Sequence, residues 1–464
     1  MNAMSPDLPQ AQDAGGSESR VALLARAFAE IKASEPLRFG AAISSISPTH
    51  YELSRMPANV SIGDLVEHIS KDDSHIGEVV GIERDRVTIA PYDGASCARI
   101  GDPVFRRGTL ALPVSPEWKG RVINALGRPV DSGAPLVPHL EAVANNGTPP
   151  ALARARVERG FRTGVRAIDI FTPLCYGQRI GVFAGSGVGK STLLAMLAAA
   201  DAFDTVVVGM VGERGREVRE FLEDTLGAKN LRKTVAVVAT SDEAAMMRRR
   251  APDTAMRIAE YFRDRGERVL LILDSITRFA HALREVATAT GEPPVARGYP
   301  ASVFTALPQL LERAGPGEEG KGSITAVISV LVDGDDHNDP VADAVRGILD
   351  GHVVLDRAIA SEGRFPAIDT LASISRLANK AWSNEERILV GKLKAMVARF
   401  EETRDIRLMG AYQAGADPDL DQAVRQVPQI YKALVQSPQD PPSRDPFNDL
   451  ARYLRVPEPS NVQQ

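Results

Sequence analysis

The sequence predicts an α/β fold: a parallel, helix-covered sheet carrying a phosphate-binding loop, with a small β-barrel before it and a helical domain after it. Three observations carry this reading. Between Gly160 and about Arg376, short apolar runs of strand type (DTVVVGMV, TVAVVAT, RVLLILDS, SITAVISVLV) alternate with helical patterns, as expected of parallel strands covered on both faces. The run Ile180 to Phe183 ends in AGSGVGKST and opens LLAMLAAA, the strand, glycine turn and helix order of a P-loop. From Leu37 to about Gly108 the texture differs: alternating runs such as GEVVGIERDRVTIAPYDG, punctuated by Gly, Asp and Pro, suit a small barrel.

Along the chain, residues 1–20 are rich in Ser, Pro, Gly, Gln and Asp, a composition that does not bury a core. VALLARAFAEIKA then sets Val21, Leu24, Phe28 and Ile31 at helical spacing. This helix either packs on its own domain or docks a partner. We assign residues 1–36 to the tail and amphipathic helix, and 37–108 to the barrel. GRVINALGRPVDS (Gly120 to Ser132) leads through a Pro-rich link into the nucleotide-binding core, assigned to 109–378. Residues 379–464 read as helical. Ser383 with Glu386 forms a capping box, followed by Leu389, Leu393, Met396, Val397 and Phe400 on one face. Asp417-Pro418 reads as an N-cap and N1 pair, and PPSRDP from Pro441 as a linker to a last short helix.

The bulk numbers bound the function. A chain of 464 residues suits about three domains. With 44% hydrophobic residues it builds a core without staples. A net charge of -5 and a pI near 5.9 give no global field for nucleic acid. Cys97 and Cys175 stand far apart and in no metal spacing, so a reducing compartment is expected. The N-terminus has neither a basic start nor an apolar stretch, so a signal peptide is not expected. No apolar run reaches the ~18 residues of a membrane helix. A cytoplasmic location is the expectation, and any membrane role would be peripheral.

The loop Gly185, Ser186, Gly187, Val188, Gly189, with Lys190, Ser191 and Thr192 opening the helix, is the candidate ATP site. The glycines let backbone N–H groups turn toward phosphates, and the helix N-terminus adds partial positive charge. Lys190 reaches the β- and γ-phosphates, and the Ser191 hydroxyl is a Mg²⁺ ligand. The usual first glycine of G-x-x-x-x-G-K-[ST] is Ala184 here. That change is harmless if Ala184 ends a strand with ordinary φ, and matters only where φ must be positive.

Hydrolysis needs a carboxylate for the magnesium shell and another to orient water. RVLLILDS ends in Asp274, which is either the first of these or a mere cap at a strand end. VVVGMVGERGREV places Glu213 just past a strand, where parallel sheets present their sites. It reads either as the water-polarising group or as a surface loop charge. Neighbouring Arg214 anchors the loop or a phosphate.

GERGRE, DSITRFA and PAIDTLASIS (Pro366 to Ser375) together resemble the catalytic subunits of rotary ATP synthases. The last fits P-[SAP]-[LIV]-[DNH]-x(3)-S-x-S throughout. FAGSGVGKS, ARGYPASVFTALPQLLERAG, DDHNDPVADAVRGILDGHVVLDR and LMGAYQAGADPDLDQAV are similar to the flagellar protein-export ATPases and their type III secretion relatives. The likeness spans about Arg38 to Leu434. It implies a RecA-like core in which Lys190 and Ser191 hold the P-loop roles and Asp274 reaches Mg²⁺ through water. It also implies that Glu213 is the catalytic glutamate, that Arg278 lies near the phosphates, and that Arg376 is an arginine finger lent to the next subunit of a homohexamer. Phe365 matches an aromatic that stacks on adenine, with simple core packing as the other reading.

The same resemblance implies a motor that spends ATP to deliver or unfold export substrates at a membrane gate. Its implied partners are a stalk-like coiled coil touching Asp335, Asp336 and Asp339, and a peripheral-stalk-like regulator at the N-terminal helix. Export-gate membrane proteins, chaperones and cargo complete the set, and its place is the cytoplasmic face of the inner membrane. The alternatives are the ATPase of a virulence-type secretion system, a rotary synthase catalytic subunit and a hexameric RNA translocase. ERAG, GAYQAGADPDLD and GILDGHVVLDR favour the export branch over the synthase. An RNA translocase would carry a basic, aromatic-studded N-terminal domain, whereas residues 37–108 hold only Phe39, Tyr51, Tyr92 and Phe105 as aromatics. The run Arg248 to Arg250 is read as a solvated or intersubunit face, and no nucleic acid is expected.

Overall fold

The structure is a computed structural model that describes residues 40–54, 59–71, 73–94, 98–134, 136, 149–332 and 339–455. Strands Gly40–Ile46, Tyr51–Leu53, Leu65–Ile69, Ser74–Ile82, Val87–Pro91 and Pro103–Gly108 close into a barrel. GEVVGIERDRVTIAP forms its central hairpin, with Ile82 opposite Val87 and the Glu83 N–H donating to the Arg86 carbonyl at 2.7 Å. Side chains alternate across a strand, and Ile43, Leu53, Val66, Val79, Ile89 and Val104 fill the interior. Closure leaves no open strand edge for stray pairing.

The core sheet runs, in spatial order, Ile368–Ser375, Gly351–Leu355, Arg179–Ala184, Ser323–Leu331, Arg268–Asp274, Thr205–Val211, Thr234–Ala239 and Val122–Asn124. Along this path every pairing is parallel except the first, between Ile368–Ser375 and Gly351–Leu355. The four apolar runs picked out in the sequence are the middle of this sheet. Thr205–Val211 and Thr234–Ala239 are buried at every position because both faces are covered. Val207 packs toward the helices Ala245–Asp264, Ile276–Ala289 and Ala301–Leu311, whereas Val206 and Val208 pack toward Lys190–Ala198 and the C-terminal helices. Each such side chain contributes about 1.5–3 kcal/mol when fully buried.

The Gly120–Ser132 segment is more than a link. Arg121 pairs with Asp131 at 2.7 Å, and the Val122 N–H donates to Asp131 Oδ2 at 2.7 Å. That closure lays Val122–Asn124 parallel to Thr234–Ala239 as the last strand of the sheet.

The C-terminal part is built of Asn384–Glu402, Pro418–Leu434 and Pro446–Arg455. The Glu386 N–H donates to Ser383 Oγ at 3.1 Å and the Ser383 N–H to Glu386 Oε2 at 2.8 Å, completing the capping box. Asp417 accepts from the Asp419 and Leu420 N–H groups, with Pro418 at the first helical position. The buried face of the first helix differs from expectation. Val390, Leu393 and Val397 are buried and Leu389 is exposed, because the helix meets the core through a stripe rotated by one residue. The N-terminal helix, Asp335 and Asp336 lie outside the described residues. Asp339 is the N-cap of Pro340–Ile348, its Oδ1 accepting from the Ala342 N–H at 2.8 Å, a duty separate from the stalk contact expected of it. Among the described residues, no helix is long and apolar enough to cross a membrane.

Candidate active site

Parallel strands deliver their C-terminal ends to one side of the sheet, and the P-loop, the Glu213 turn and Asp274 all emerge there. Ala184 ends its strand opposite Leu331, and Asp274 ends its own opposite Met210. Positive φ falls on Gly187 (+79°) and Gly189 (+90°), and Ala184 is not among such residues. The substituted glycine therefore stands where a Cβ is tolerated. At Gly189 the demand is double, since an added Cβ would also lie 3.4 Å from Phe365 Cδ1. Lys190–Ala198 begins directly after Gly189, so its free N–H groups face the loop. Ser186, Gly187 and Ser191 are exposed around it, Gly185 and Val188 are buried, and Thr192 is half-buried.

Three charged side chains converge on this loop. The Lys190 ammonium donates to Asp274 Oδ1 and stands 3.5 Å from Glu213 Oε1. All are largely shielded, with 11%, 4% and 14% of the Lys190, Asp274 and Glu213 side chains exposed. Burial pushes the Glu213 carboxyl above the ordinary glutamate range. The Lys190 charge opposes that shift and the Asp274 carboxylate adds to it. Glu213 Oε1 is buried with no hydrogen-bond partner, an arrangement that natural interiors rarely leave without purpose. This is a shielded carboxylate beside the Lys190 ammonium, not a solvated loop charge. Asp274 likewise does not cap the following helix; Ser275 is that N-cap.

The arginines divide. Arg278, in the first turn of Ile276–Ala289, is exposed beside the Glu213 turn. Gly212 (φ +72°) admits it, since a Cβ there would lie 3.0 Å from Arg278 Cβ. Arg214 points outward, 77% exposed, and pairs with Glu217 at 3.7 Å. Arg376 is brought nowhere near its own P-loop. Ser375 stands opposite Gly351, and the Arg376 N–H donates to the Asp350 carbonyl at 2.9 Å. The same Asp350 holds Arg179, the first residue of the strand that Ala184 ends. At about 3.3 Å per residue, Arg376 lies roughly 16 Å from the P-loop end of the sheet. Its guanidinium is exposed and has no hydrogen-bond or ion-pair partner among the described residues.

Phe365 is 43% exposed, against the P-loop on one side and a cavity of about 290 Å³ on the other. Core residues such as Ile359 and Pro366 form one wall, and Tyr431 and Leu434 of the C-terminal helix form another. The composition of the loop did not foretell this second wall, because its residues lie far along the chain.

Arg248 to Arg250 correct the sequence reading. Arg250 donates to Glu78 Oε2 at 2.8 Å and to the Tyr92 hydroxyl at 3.1 Å, while Arg249 stands 3.4 Å from Glu78 Oε1. Glu78 and Tyr92 belong to the barrel and are buried. Arg248 pairs with Glu285 at 2.9 Å. The run is a joint within one chain between barrel and core. Its acidic partners stand about 170 residues away in Glu78 or on the next helix in Glu285, which single-sequence spacing does not reveal.

Comparison with known proteins agrees with this geometry. The ATP synthase alpha/beta family nucleotide-binding domain matches residues 164–375, and the T3SS EscN ATPase C-terminal domain matches residues 382–450. The flagellum-specific ATP synthase of Rhizobium meliloti (strain 1021) is 60% identical over 418 residues, covering 90% of this chain and 89% of that protein. The SPI-2 type 3 secretion system ATPase of Salmonella typhimurium is 45% identical over 368 residues, covering 79% and 84%. The assembled ATPase EscN of the enteropathogenic E. coli type III secretion system is similar at TM-score 0.83 and 40% identity, covering 89% of this chain and 100% of that one. EscN in complex with its central stalk EscO gives TM-score 0.81 at 39% identity over the same shares. With nine-tenths of its length matched at this identity and its P-loop, Glu213 and Asp274 gathered at one end of the sheet, the chain belongs to the flagellum-specific ATP synthases, the ATP-hydrolysing export branch of the type III secretion ATPases within the ATP synthase alpha/beta family.

Proposed function

We propose that this ATPase works as a homohexameric ring whose active sites lie between protomers, each completed by Arg376 of the neighbouring copy. The observation that carries this reading is the separation of Arg376 from its own P-loop by the length of a strand. A guanidinium so exposed, at the opposite end of the sheet from Lys190, Glu213 and Asp274, is available to a second copy and not to its own site. The assembled state of EscN and its complex with a central stalk support a ring with an axial partner.

Within one protomer the P-loop N–H groups and Lys190 hold the phosphates. The oxygen donors fit Mg²⁺, a hard cation that keeps several waters and takes few protein ligands. Ser191 Oγ would bind it directly, Asp274 would bind through water, and the metal would neutralise charge on the β- and γ-phosphates. Glu213, its Oε1 without a hydrogen-bond partner and 3.5 Å from the Lys190 ammonium, orients the attacking water and accepts its proton. When phosphates arrive, the Lys190 charge turns to them and releases the carboxylates for these tasks. Phe365 provides the face on which the adenine stacks, with its ring already against the Gly189 turn. Arg278 lies beside the Glu213 turn, near the phosphates. Export cargo, chaperones, gate proteins, a stalk-like coiled coil and a regulator at the N-terminal helix are the partners of such a ring, on the cytoplasmic face of the inner membrane.

A mixing experiment tests the shared site. Arg376→Ala and Lys190→Ala are each expected to lose nearly all steady-state turnover, since such a finger is worth ~10³–10⁵ in rate. Mixed rings juxtapose an intact P-loop with an intact finger, so mixtures should recover activity well above either variant. A mixture no more active than its components would remove the finger in trans.

A further inference from the structure

Gln436 lies in neither the P-loop, the magnesium-site strand nor the PAIDTLASIS segment, yet it is only 3% exposed. Its backbone N–H donates to the Phe365 carbonyl at 2.8 Å. Its side-chain Nε2 donates to the Gly164 carbonyl at 2.8 Å, and its Oε1 accepts from the Arg166 N–H at 3.0 Å. One position earlier, the Val435 carbonyl accepts from Arg166 Nη2 at 2.6 Å. The partners fix which end of the amide is which: Gly164 offers an acceptor and Arg166 a donor.

The corner that Gln436 grips is itself braced. Asp169 accepts from the Thr163 N–H at 2.7 Å, the Thr163 hydroxyl at 2.8 Å and the Gly164 N–H at 2.9 Å. Through Gln436 this corner is bound both to Phe365 and to the end of Pro418–Leu434. Those are the two sides of the cavity next to the P-loop: Ile359, Phe365 and Pro366 on the core side, Tyr431, Leu434 and Val435 on the helical side. The two walls also meet where Arg364 lies over the Tyr431 ring at 4.0 Å and Arg404 pairs with Glu362 at 3.2 Å, and Gln436 adds the tie that reaches the Phe365 carbonyl.

We infer that Gln436 is a positioning residue for the nucleotide, clamping the C-terminal helix to the Phe365 carbonyl and the Gly164–Arg166 corner so that the base cavity keeps its width. The inference rests on the reading of Phe365 as the base-stacking wall. Gln436 itself lies one residue away from the cavity lining, so it acts through Phe365 and Val435 and not by contact with the base. Losing it loosens binding shared by ground and transition states, which raises KM and leaves kcat in place.

The test uses the full chain with ATP as substrate and inorganic tripolyphosphate, which has no base, as competitive inhibitor. Gln436→Met keeps the volume and removes the amide bonds. It should raise KM for ATP about tenfold, with kcat within about twofold and the tripolyphosphate inhibition constant unchanged. Phe365→Ala should shift the same quantities in the same direction. A raised KM in Phe365→Ala with a wild-type KM in Gln436→Met would overturn the clamp and leave the base wall standing. An unchanged KM in Phe365→Ala would overturn the base wall, and the clamp with it. Equal weakening of ATP and tripolyphosphate in Gln436→Met would mean a general structural role and would also overturn the clamp. Should Gln436→Met not fold, Arg166→Leu removes only the side-chain bond to Val435. It carries the same readout with a KM rise of about two- to threefold, and a wild-type KM there would overturn the clamp.

Discussion

The two ends of the core sheet are built on opposite plans. At the C-terminal ends of the strands, Lys190, Glu213 and Asp274 are shielded and their charges are turned on one another. At the other end Arg376 stands exposed, with only its backbone anchored, on Asp350. One end is pre-organised within the protomer and the other is offered outward. The difference keeps the Arg376 guanidinium from joining the Lys190, Glu213 and Asp274 cluster of its own chain. Under the proposed shared site, hydrolysis is tied to assembly, because the charge that stabilises transfer comes from a neighbour.

The comparison breaks most decisively at Glu213. Glu213→Gln should retain ATP binding, measured with a fluorescent nucleotide, while turnover falls by ~10²–10⁴, the span of a lost general base. Turnover near the wild-type level would return Glu213 to an ordinary loop residue. The same variant reads the pH dependence. Only the ionised carboxylate accepts a proton, and burial raises the Glu213 pKa above its ordinary value. Lowering pH through that raised value protonates it, so the acid limb of the rate profile should lie above about 4.3, the value of a free glutamate. In Glu213→Gln the limb should vanish from the residual rate.

Next in size is the support of the ATP-facing end by the barrel. Arg250 stands in the second turn of Ala245–Asp264, with 13% of its side chain exposed and 5% of its partner Glu78. Arg250→Ala removes the nearer of two arginines from a buried carboxylate and leaves Glu78 with Arg249 and the Tyr92 hydroxyl. The loss should therefore fall below the ~3–5 kcal/mol of a fully broken buried pair. Denaturant unfolding should register that loss, while KM for ATP per folded protein stays within about twofold. A large rise in KM would mean that the barrel joint shapes the nucleotide site itself.

The smallest expected effect is at the substituted glycine. Ala184→Gly restores the common P-loop pattern but places Gly at a buried strand end, which costs about 0.5–1 kcal/mol. ATP affinity should stay the same within error. A measurable gain in affinity would show that the Ala184 Cβ constrains the loop after all.

Much of the site was legible because its parts are local. The strand before AGSGVGKST, the turn at Gly189 and the helix after Lys190 are dictated within a dozen residues, and φ above zero falls on glycines as the loop requires. Asp274 and Glu213 were legible as strand-end carboxylates, but their meeting with Lys190 came from strand order, which no local pattern encodes. The run Arg248–Arg250 was misread for the same reason: its charge was visible and its partner Glu78 was not. The helix face was misjudged by one position, Val390 for Leu389, since two adjacent apolar residues offer two stripes and only the packing partner selects one.

The sequence by itself determined the chemistry on offer. A phosphate loop, two strand-end carboxylates and an arginine after SIS are choices of residue type at short range, and short-range order is written in the chain. The tertiary structure alone decided which of them share a site. Parallel crossovers bring Glu213 and Asp274 to Lys190, whereas the antiparallel strand Ile368–Ser375 returns Arg376 to the opposite end of the sheet. The physical reason is strand direction: reversing one edge strand moves the residue after it by the full length of the sheet, and so away from the end that carries its own P-loop.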